Sequence, residues 1–171
     1  PDDMRGLAWY ALSAQHSNHD PRLLSLTDYL QHASASDVQI DLDIPRTVRG
    51  HKSFHTRYGR GQCDLFCVLH AMSLMCAECG YCQGMGPLAA MLLMHMPASH
   101  ALRVMRRMHD VYGFHELFRP GFPGLRAEFY VLSQLLDALV PRMAQALAQA
   151  GLAPSAYATR WLLTVFHDAL P

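Results

Sequence analysis

Residues 63–75 read CDLFCVLHAMSLM, and this stretch decides the fold class more than any other part of the chain. Its apolar side chains recur at helical spacing and cover more than one face, which is typical of a nearly buried helix. These side chains are Leu65, Phe66, Val68, Leu69, Met72, Leu74 and Met75. Gly80 then suits a left-handed helix stop. We therefore predict a central helix that begins near Cys63 and ends before Gly80.

The segment before this helix predicts two helices and one irregular stretch. Asp2 or Asp3 is expected to cap a first helix, and Ser25 to cap a second, short one. Apolar residues alternate in residues 40–50 as in a strand, but a lone strand has no partner. Pro45 also disfavours a regular helix there. We predict an ordered turn or extended loop over residues 40–50.

The segment after the central helix predicts further helices separated by Pro and Gly. Five helices are expected there: from Pro87 to before Pro97, from Ser99 to before Gly113, from residue 125 to Pro141, from there to Gly151, and from Ser155 to Phe166. A loop is expected at residues 120–124. No segment predicts a convincing strand, and no linker or repeat divides the chain. The fold class is therefore expected to be all-α, with residues 1–171 in a single domain or most of one.

Composition excludes several functional classes. Charged residues make up 16% of the 171 residues, the formal net charge is +0, and no basic run is present. Nucleic acid is therefore not an expected partner. The longest apolar run, residues 88–94, is far shorter than the roughly 20 residues of a membrane span. We also expect no signal peptide, and because the chain opens with Pro1 we expect it to be part of a longer protein.

Two short segments carry the candidate chemistry. Residues 40–47 read IDLDIPRT, and residues 80–85 read GYCQGM. The guanidinium of Arg46 is a permanently charged planar fork that matches phosphate oxygens. The amide of Gln83 donates and accepts at once, so it can hold a water molecule. Together they are suited to the hydrolysis of a bound nucleoside triphosphate.

At these residues the chain resembles the TBC domains, a family that activates Rab-type small GTPases. The family motifs I-x-x-D-x-x-R-T and Y-x-Q-G-M both stand intact here, in the family's order. Further resemblance lies in residues 5–9 (RGLAW), 65–69, 88–90, 161–166 (WLLTVF) and 170–171. The resemblance implies a multi-helix TBC domain, and we expect this chain to lack the family's C-terminal helices.

The resemblance also implies a role for each motif. Arg46 is expected to be an arginine finger that neutralises charge on the transferring phosphoryl group, and Gln83 a glutamine finger that positions the attacking water. The protein itself is then not an enzyme, but a GTPase activator that supplies catalytic residues in trans. It needs no cofactor of its own, because a G-x-x-x-x-G-K-[ST] loop is lacking and the partner GTPase carries GTP and Mg²⁺.

Supporting roles are implied for four neighbours of the two fingers. Asp43 is expected to cap the turn or orient a cation, and Thr47 to give polar support. Tyr81 and Gly84 are expected to set the direction of the glutamine. Where the family commonly has Asn, this chain has Gly86, and we expect less bracing of the loop and lower activity.

The resemblance places the protein in the regulation of vesicle trafficking. Its expected partner is a GTP-loaded Rab GTPase, and its expected location is cytoplasmic, peripheral to endomembranes. We expect the Rab to dock in a groove that is polar around the two fingers and lined by apolar residues near Met85 and Leu88. A scaffold that binds a Rab without activating it is the first alternative.

A Cys-ligated metal or iron–sulfur site is the second alternative. Cys76, Cys79 and Cys82 match the first three cysteines of a ferredoxin-type run, and the further candidate ligands are Cys63, Cys67 and His70. The cysteine count of five is odd, and four of the five lie within an apolar pattern of helical spacing: Cys63, Cys67, Cys76 and Cys79. Buried free thiols of a reducing cytosol fit this pattern better than a disulfide framework. We therefore expect no bound metal.

Overall fold

The computed structural model describes residues 2–14 and 25–166, which form helices without any strand. The helices are α1 (Asp2–Ala14), α2 (Leu26–Tyr29), α3 (Asp37–Asp43), α4 (Arg60–Met75), α5 (Met85–Leu93), α6 (Ala98–Val111), α7 (Phe114–Phe118), α8 (Pro123–Leu139), α9 (Pro141–Gln149), α10 (Pro154–Tyr157) and α11 (Thr159–Leu163), with a 3₁₀ turn at Ile44–Arg46. The prediction of an all-α fold is confirmed. Among the described residues, every helix falls short of the length and apolarity needed to cross a membrane.

The predicted central helix is confirmed as α4, which packs against α5 and α6. Its side chains Leu65, Val68, Leu69 and Met72 are almost completely buried. Burial of each such side chain stabilises the fold by about 1.5–3 kcal/mol. The core therefore lies around α4, and the loops that enter and leave this helix are anchored to it.

The boundaries of several helices differ from the predictions. Helix α4 ends at Met75, and Gly80 is left-handed as expected (φ +54°) but lies in the loop beyond the helix end. Pro87 is the third residue of α5, not the first, and Ser99 does not cap α6, whose N-cap is Pro97. Gly113 follows α6 as the expected boundary and is left-handed (φ +80°), but it also precedes α7, which was not predicted.

The N-terminal caps show a similar mixture of outcomes. Ser25 forms a capping box with Asp28, because each side chain accepts from the other's backbone N–H. This cap was predicted. The first helix is also present, but the side chains of Asp2 and Asp3 lie outside the described residues, as do residues 167–171.

The prediction of a turn or extended loop over residues 40–50 was wrong for its first part. Residues up to Asp43 are helical, and the 3₁₀ turn continues the spiral to Arg46. The apolar residues are spaced for a helix: Ile40 and Ile44 are buried four residues apart, whereas Leu42 between them is exposed. Alternation of three residues was therefore misleading, and burial of one face decided the structure.

The loop after Arg46 is tied onto α4 by one buried side chain. Gln62 donates from Nε2 to the carbonyl of Phe54 at 2.7 Å and accepts at Oε1 from the N–H of Tyr58 at 3.1 Å. The ring of Phe54 is buried in the core. Within this loop, Val48 has φ of +49°, which a β-branched residue rarely adopts. The loop is thus fixed by the fold around it.

The C-terminal helices are much less buried than the rest. Leu125 is the one buried residue described for α8, and α9 has none. Large apolar side chains are exposed on this side of the molecule: Tyr130, Val131, Leu135, Leu139, Val140 and Met143. The predicted single last helix from Ser155 to Phe166 is instead two short helices, α10 and α11.

Candidate functional site

Arg46 ends the 3₁₀ turn that follows α3, and its side chain is 61% exposed. One terminal nitrogen of its guanidinium donates to Oδ1 of Asp43. A guanidinium has five donor hydrogens, so this ion pair fixes the direction of the side chain and still leaves other donors on the exposed side. The turn presents a partly ordered cation at the surface.

Asp43 is the centre of the hydrogen-bond network at this site, and its residue is only 2% exposed. Besides Arg46, its carboxylate accepts from Nε2 of Gln39 at 3.0 Å and from the hydroxyl of Tyr81 at 2.9 Å. Its backbone carbonyl accepts from Oγ1 of Thr47 at 2.9 Å. A buried carboxylate is stable only when it is paired and hydrogen-bonded. These contacts satisfy that requirement, and one of them is the ion pair with the guanidinium of Arg46.

Tyr81 connects the second motif to the first. Its hydroxyl reaches Oδ2 of Asp43, whereas Arg46 binds Oδ1 of the same carboxylate. Burial, and next the hydrogen bond to Asp43, raise the pKa of Tyr81 above its ordinary range. The phenol therefore stays a neutral donor, and one carboxylate joins two segments that are 38 residues apart.

Gln83 lies in the turn before α5, two residues after Tyr81, and it is exposed. The next residue, Gly84, passes close to α11: a Cβ at this position would lie 3.0 Å from Cδ1 of Leu163. Glycine therefore permits a close approach between the turn and α11. The exposed amide is carried by a short turn that Tyr81 fixes on one side and helix α5 on the other.

Gly86 directly follows the second motif and lies close to Thr47 of the first motif. A Cβ built on it would lie 3.3 Å from Oγ1 of Thr47 and 3.9 Å from the hydroxyl of Tyr81. A larger side chain here would therefore press on Thr47, whose hydroxyl is held by Asp43. The small residue keeps α5 and the 3₁₀ turn close together.

The docking groove expected from apolar residues near Met85 and Leu88 stays a prediction. Met85 and Leu88 themselves are fully buried core residues, so their exposed neighbours would have to form such a lining. A groove of about 350 Å³ lies beside the 3₁₀ turn, between α3 and α4. It is lined by Asp41, Ile44, Tyr58, Gln62, Cys63, Phe66 and Cys67. The pattern of apolar residues in α5 indicated burial, but it did not indicate which side of the helix faces solvent.

Sequence reasoning missed one residue and one contact of this network. Gln39 lies four residues before Asp43 on α3, and this spacing is the signal of a helical side-chain pair. It was overlooked because the segment was not predicted as helix. The bond from Tyr81 to Asp43 was also missed, because a contact between distant segments has no local sequence pattern.

Comparison with known proteins now decides the family. A model of the Rab-GTPase-TBC domain matches residues 2–171. The chain belongs to the RabGAP-TBC family. This TBC chain is 40% identical, over its whole length, to the TBC domain-containing protein C1778.09 of Schizosaccharomyces pombe. It is 33% identical to the Rab GTPase-activating protein tbc-11 of Caenorhabditis elegans, again over its whole length. It spans 41% of the first relative and 19% of the second.

The fold agrees with that assignment. The crystal structure of the Chlamydomonas flagellar RabGAP TBC domain matches the whole TBC chain with a TM-score of 0.81 and 20% sequence identity. The match covers 58% of that structure's chain. Residues 1–171 therefore correspond to only part of that solved chain, as the resemblance had implied.

Proposed function

We propose that this TBC domain binds a GTP-loaded Rab GTPase and accelerates GTP hydrolysis with Arg46 and Gln83. In the reaction, water attacks the γ-phosphorus, the bond to the bridging oxygen of GDP breaks, and inorganic phosphate leaves. Such a transition state needs positioning and charge stabilisation more than a protein base. The observation that carries the proposal is the carboxylate of Asp43, which binds both Arg46 and the Tyr81 that precedes Gln83.

Each finger supplies one requirement of that reaction. The exposed guanidinium of Arg46 would stabilise the negative charge on the phosphoryl oxygens, and an arginine finger accelerates hydrolysis by about 10³- to 10⁵-fold. The exposed amide of Gln83 would hold the attacking water by donating and accepting hydrogen bonds. Asp43, Thr47, Tyr81 and Gly84 would act as positioning residues, because they hold the two turns that carry the fingers.

The wider setting is part of the same proposal. GTP and Mg²⁺ would arrive with the Rab, and the groove beside the 3₁₀ turn would receive part of the GTPase surface. Because active Rabs reside on internal membranes, we propose action at the cytoplasmic surface of endomembranes in vesicle trafficking. Residues 1–171 would form one partial TBC domain, whose exposed apolar face on α8 and α9 fits contact with further helices.

Hydrolysis by a panel of purified Rabs, loaded with GTP and followed by phosphate release in a single turnover, tests the proposal. At least one Rab should respond to the chain, and Arg46→Lys should remove most of the response, because lysine keeps the charge but loses the fork. Arg60→Lys is the matched control, since Arg60 is an exposed arginine in a surface ion pair. Equal loss in both variants, or no loss in Arg46→Lys, would contradict the role of Arg46.

Gln83 needs its own variant. Gln83→Glu keeps the size of the side chain but removes the amide donor, so acceleration should fall strongly while Rab binding persists. Gln145→Glu on α9 is the matched control, because Gln145 is also exposed. The unchanged chain could instead bind a Rab that carries a non-hydrolysable GTP analogue and yet not accelerate GTP hydrolysis by that Rab. This result would favour the scaffold alternative and overturn the proposal.

A further inference from the structure

Four potential metal ligands converge at a place that the proposed function does not use. Cys76 and Cys79 lie in the loop after α4, His109 lies near the end of α6, and His115 lies in α7. One ligand atom from each residue lies within 4.8 Å of all the others. We propose that these four residues form a structural Zn²⁺ site that ties the loop after α4 to α6 and α7.

The spacing and geometry fit a tetrahedral zinc site. The ligands follow the pattern C-x₂-C and H-x₅-H, which is within the range of structural Cys₂His₂ sites. Zn–S bonds of about 2.3 Å and Zn–N bonds of about 2.0–2.1 Å place tetrahedral ligands roughly 3.3–3.8 Å apart. Sγ of Cys79 and Nε2 of His109 are separated by 3.5 Å. That pair therefore already has the separation of two ligands on one ion.

The loop is folded as a chelating turn. The backbone N–H of Cys79 donates to Sγ of Cys76 at 3.4 Å, which brings both thiols to the same side. Cys79 and His109 are buried, and Cys76 and His115 are half-buried. Two thiolates would balance the charge of one Zn²⁺. A closed site with four protein ligands and matched charge is what a structural ion requires.

Carboxylates support both histidines from outside the cluster. Nδ1 of His109 lies 2.7 Å from Oδ1 of Asp110, so Nε2 is the nitrogen that points toward Cys79. Both ring nitrogens of His115 contact carboxylates, Nε2 at 3.3 Å from Glu78 and Nδ1 at 3.4 Å from Glu116, so the ion would replace one of these contacts and leave the other. Histidines that bind metals usually hold a carboxylate on the nitrogen that does not bind the metal, which fixes the ring. This support is in place for His109, and His115 would keep it through its remaining carboxylate.

The geometry also separates this site from the iron–sulfur alternative. Cys82 is not part of the cluster, so the three-cysteine pattern of the sequence does not converge in the described structure. His70 is bound instead to Asp37 and to the carbonyl of Tyr29. Four ligand atoms within 4.8 Å fit a single ion better than a multi-iron cluster. The proposal therefore departs from the sequence-based expectation of no metal, and it uses two histidines that the sequence did not single out.

Metal content and cobalt spectroscopy test the site directly. The chain, purified without chelator, should contain one zinc per molecule by mass spectrometry. Removal of zinc with a chelator should lower the thermal midpoint, and added Zn²⁺ should restore it. Co²⁺ added to the metal-free chain should give the visible absorption of a tetrahedral ion together with thiolate-to-metal charge transfer. A chain without zinc, without a cobalt signal and without a chelator effect would overturn the proposal.

Variants assign the signal to these residues. Cys79→Ser and His115→Asn should reduce the zinc content from one to near zero, whereas Cys82→Ser, a half-buried cysteine outside the cluster, should keep it. Asp110→Asn should weaken Zn²⁺ binding by about 10- to 100-fold, and Asp137→Asn on the exposed face of α8 should not. If Cys79→Ser does not fold, His115→Asn and the cobalt titration still decide the question.

Other outcomes are equally informative. A brown, iron-containing protein would favour a cluster, and a Cys76–Cys79 disulfide without metal would favour a redox pair; each contradicts the zinc site. Metal stoichiometry is measured without any GTPase. Failure of the zinc proposal is therefore distinct from failure of the proposed activity, even though the loop it anchors leads to Gln83.

Discussion

The substitution Tyr81→Phe removes a single oxygen atom and tests whether the carboxylate of Asp43 joins the two motifs. In the structure, the lost hydroxyl donates to Oδ2 of Asp43 at 2.9 Å. The ring itself stays apolar and nearly the same size, so packing changes little. What changes is one hydrogen bond to a charged, buried acceptor.

The expected cost follows from the burial of that acceptor. A hydrogen bond to a charged group contributes about 1.5–3 kcal/mol. The side chain of Asp43 is only 3% exposed, so water does not readily replace the lost donor. For a chain of this size each kcal/mol corresponds to about 2–4 °C. We therefore expect the thermal midpoint of Tyr81→Phe to fall by roughly 3–12 °C.

The same variant should also slow GTP hydrolysis, because Arg46 is then held by a less well-fixed carboxylate. A small misplacement of a catalytic group costs up to about 10²-fold in rate, so the loss should be smaller than in Arg46→Ala. Thermal unfolding and single-turnover phosphate release measure the two effects. Tyr130→Phe on α8 is the matched control, because this tyrosine is exposed and does not line the groove beside the 3₁₀ turn. Equal stability and activity of the two variants would refute the reasoning.

Two further predictions concern the loop and the thiols around α4. Gly61→Ala should destabilise the fold by about 1–3 kcal/mol or more, because its Cβ would lie 2.1 Å from the backbone carbonyl oxygen of Ser53. The control Gly50→Ala meets open space and should be tolerated. Denaturant unfolding measures both, and equal costs would contradict the packing. In timed alkylation at about pH 8, exposed Cys63 should react before Cys67, since burial raises the pKa of Cys67 and lowers its thiolate fraction. The rate at Cys67 should keep rising above the pH at which an ordinary thiol is fully ionised, and a plateau at lower pH would contradict this.

The helical fold could be predicted because its signals are local. The broad apolar pattern around Leu65 and Val68 predicted a buried helix, and both residues are in the core. Ser25 predicted a cap because a hydroxyl at that position accepts from the first turn. The error at residues 40–50 has an equally local cause: Ile40, Leu42 and Ile44 fit both periods over so short a segment, and only burial against the core separates them.

The candidate site was predictable only in its parts. The motifs gave Arg46 and Gln83, and the short spacing to Asp43 suggested that an acid orients the arginine. The sequence contained no signal for the bond between Asp43 and Tyr81, since it joins residues far apart in the chain. The convergence of Cys79 with His109 was hidden for the same reason, because packing of α4 against α6 brings them together.

The most direct test of the two-finger account uses a responsive Rab whose own water-positioning glutamine has been replaced by leucine. Single-turnover phosphate release is measured from the unchanged Rab and from the substituted Rab. Each is measured once with the unchanged chain and once with Gln83→Ala. If Gln83 positions the water, the substituted Rab still responds at least in part to the unchanged chain and does not respond to Gln83→Ala. Complete loss of response in the substituted Rab with the unchanged chain would contradict the account.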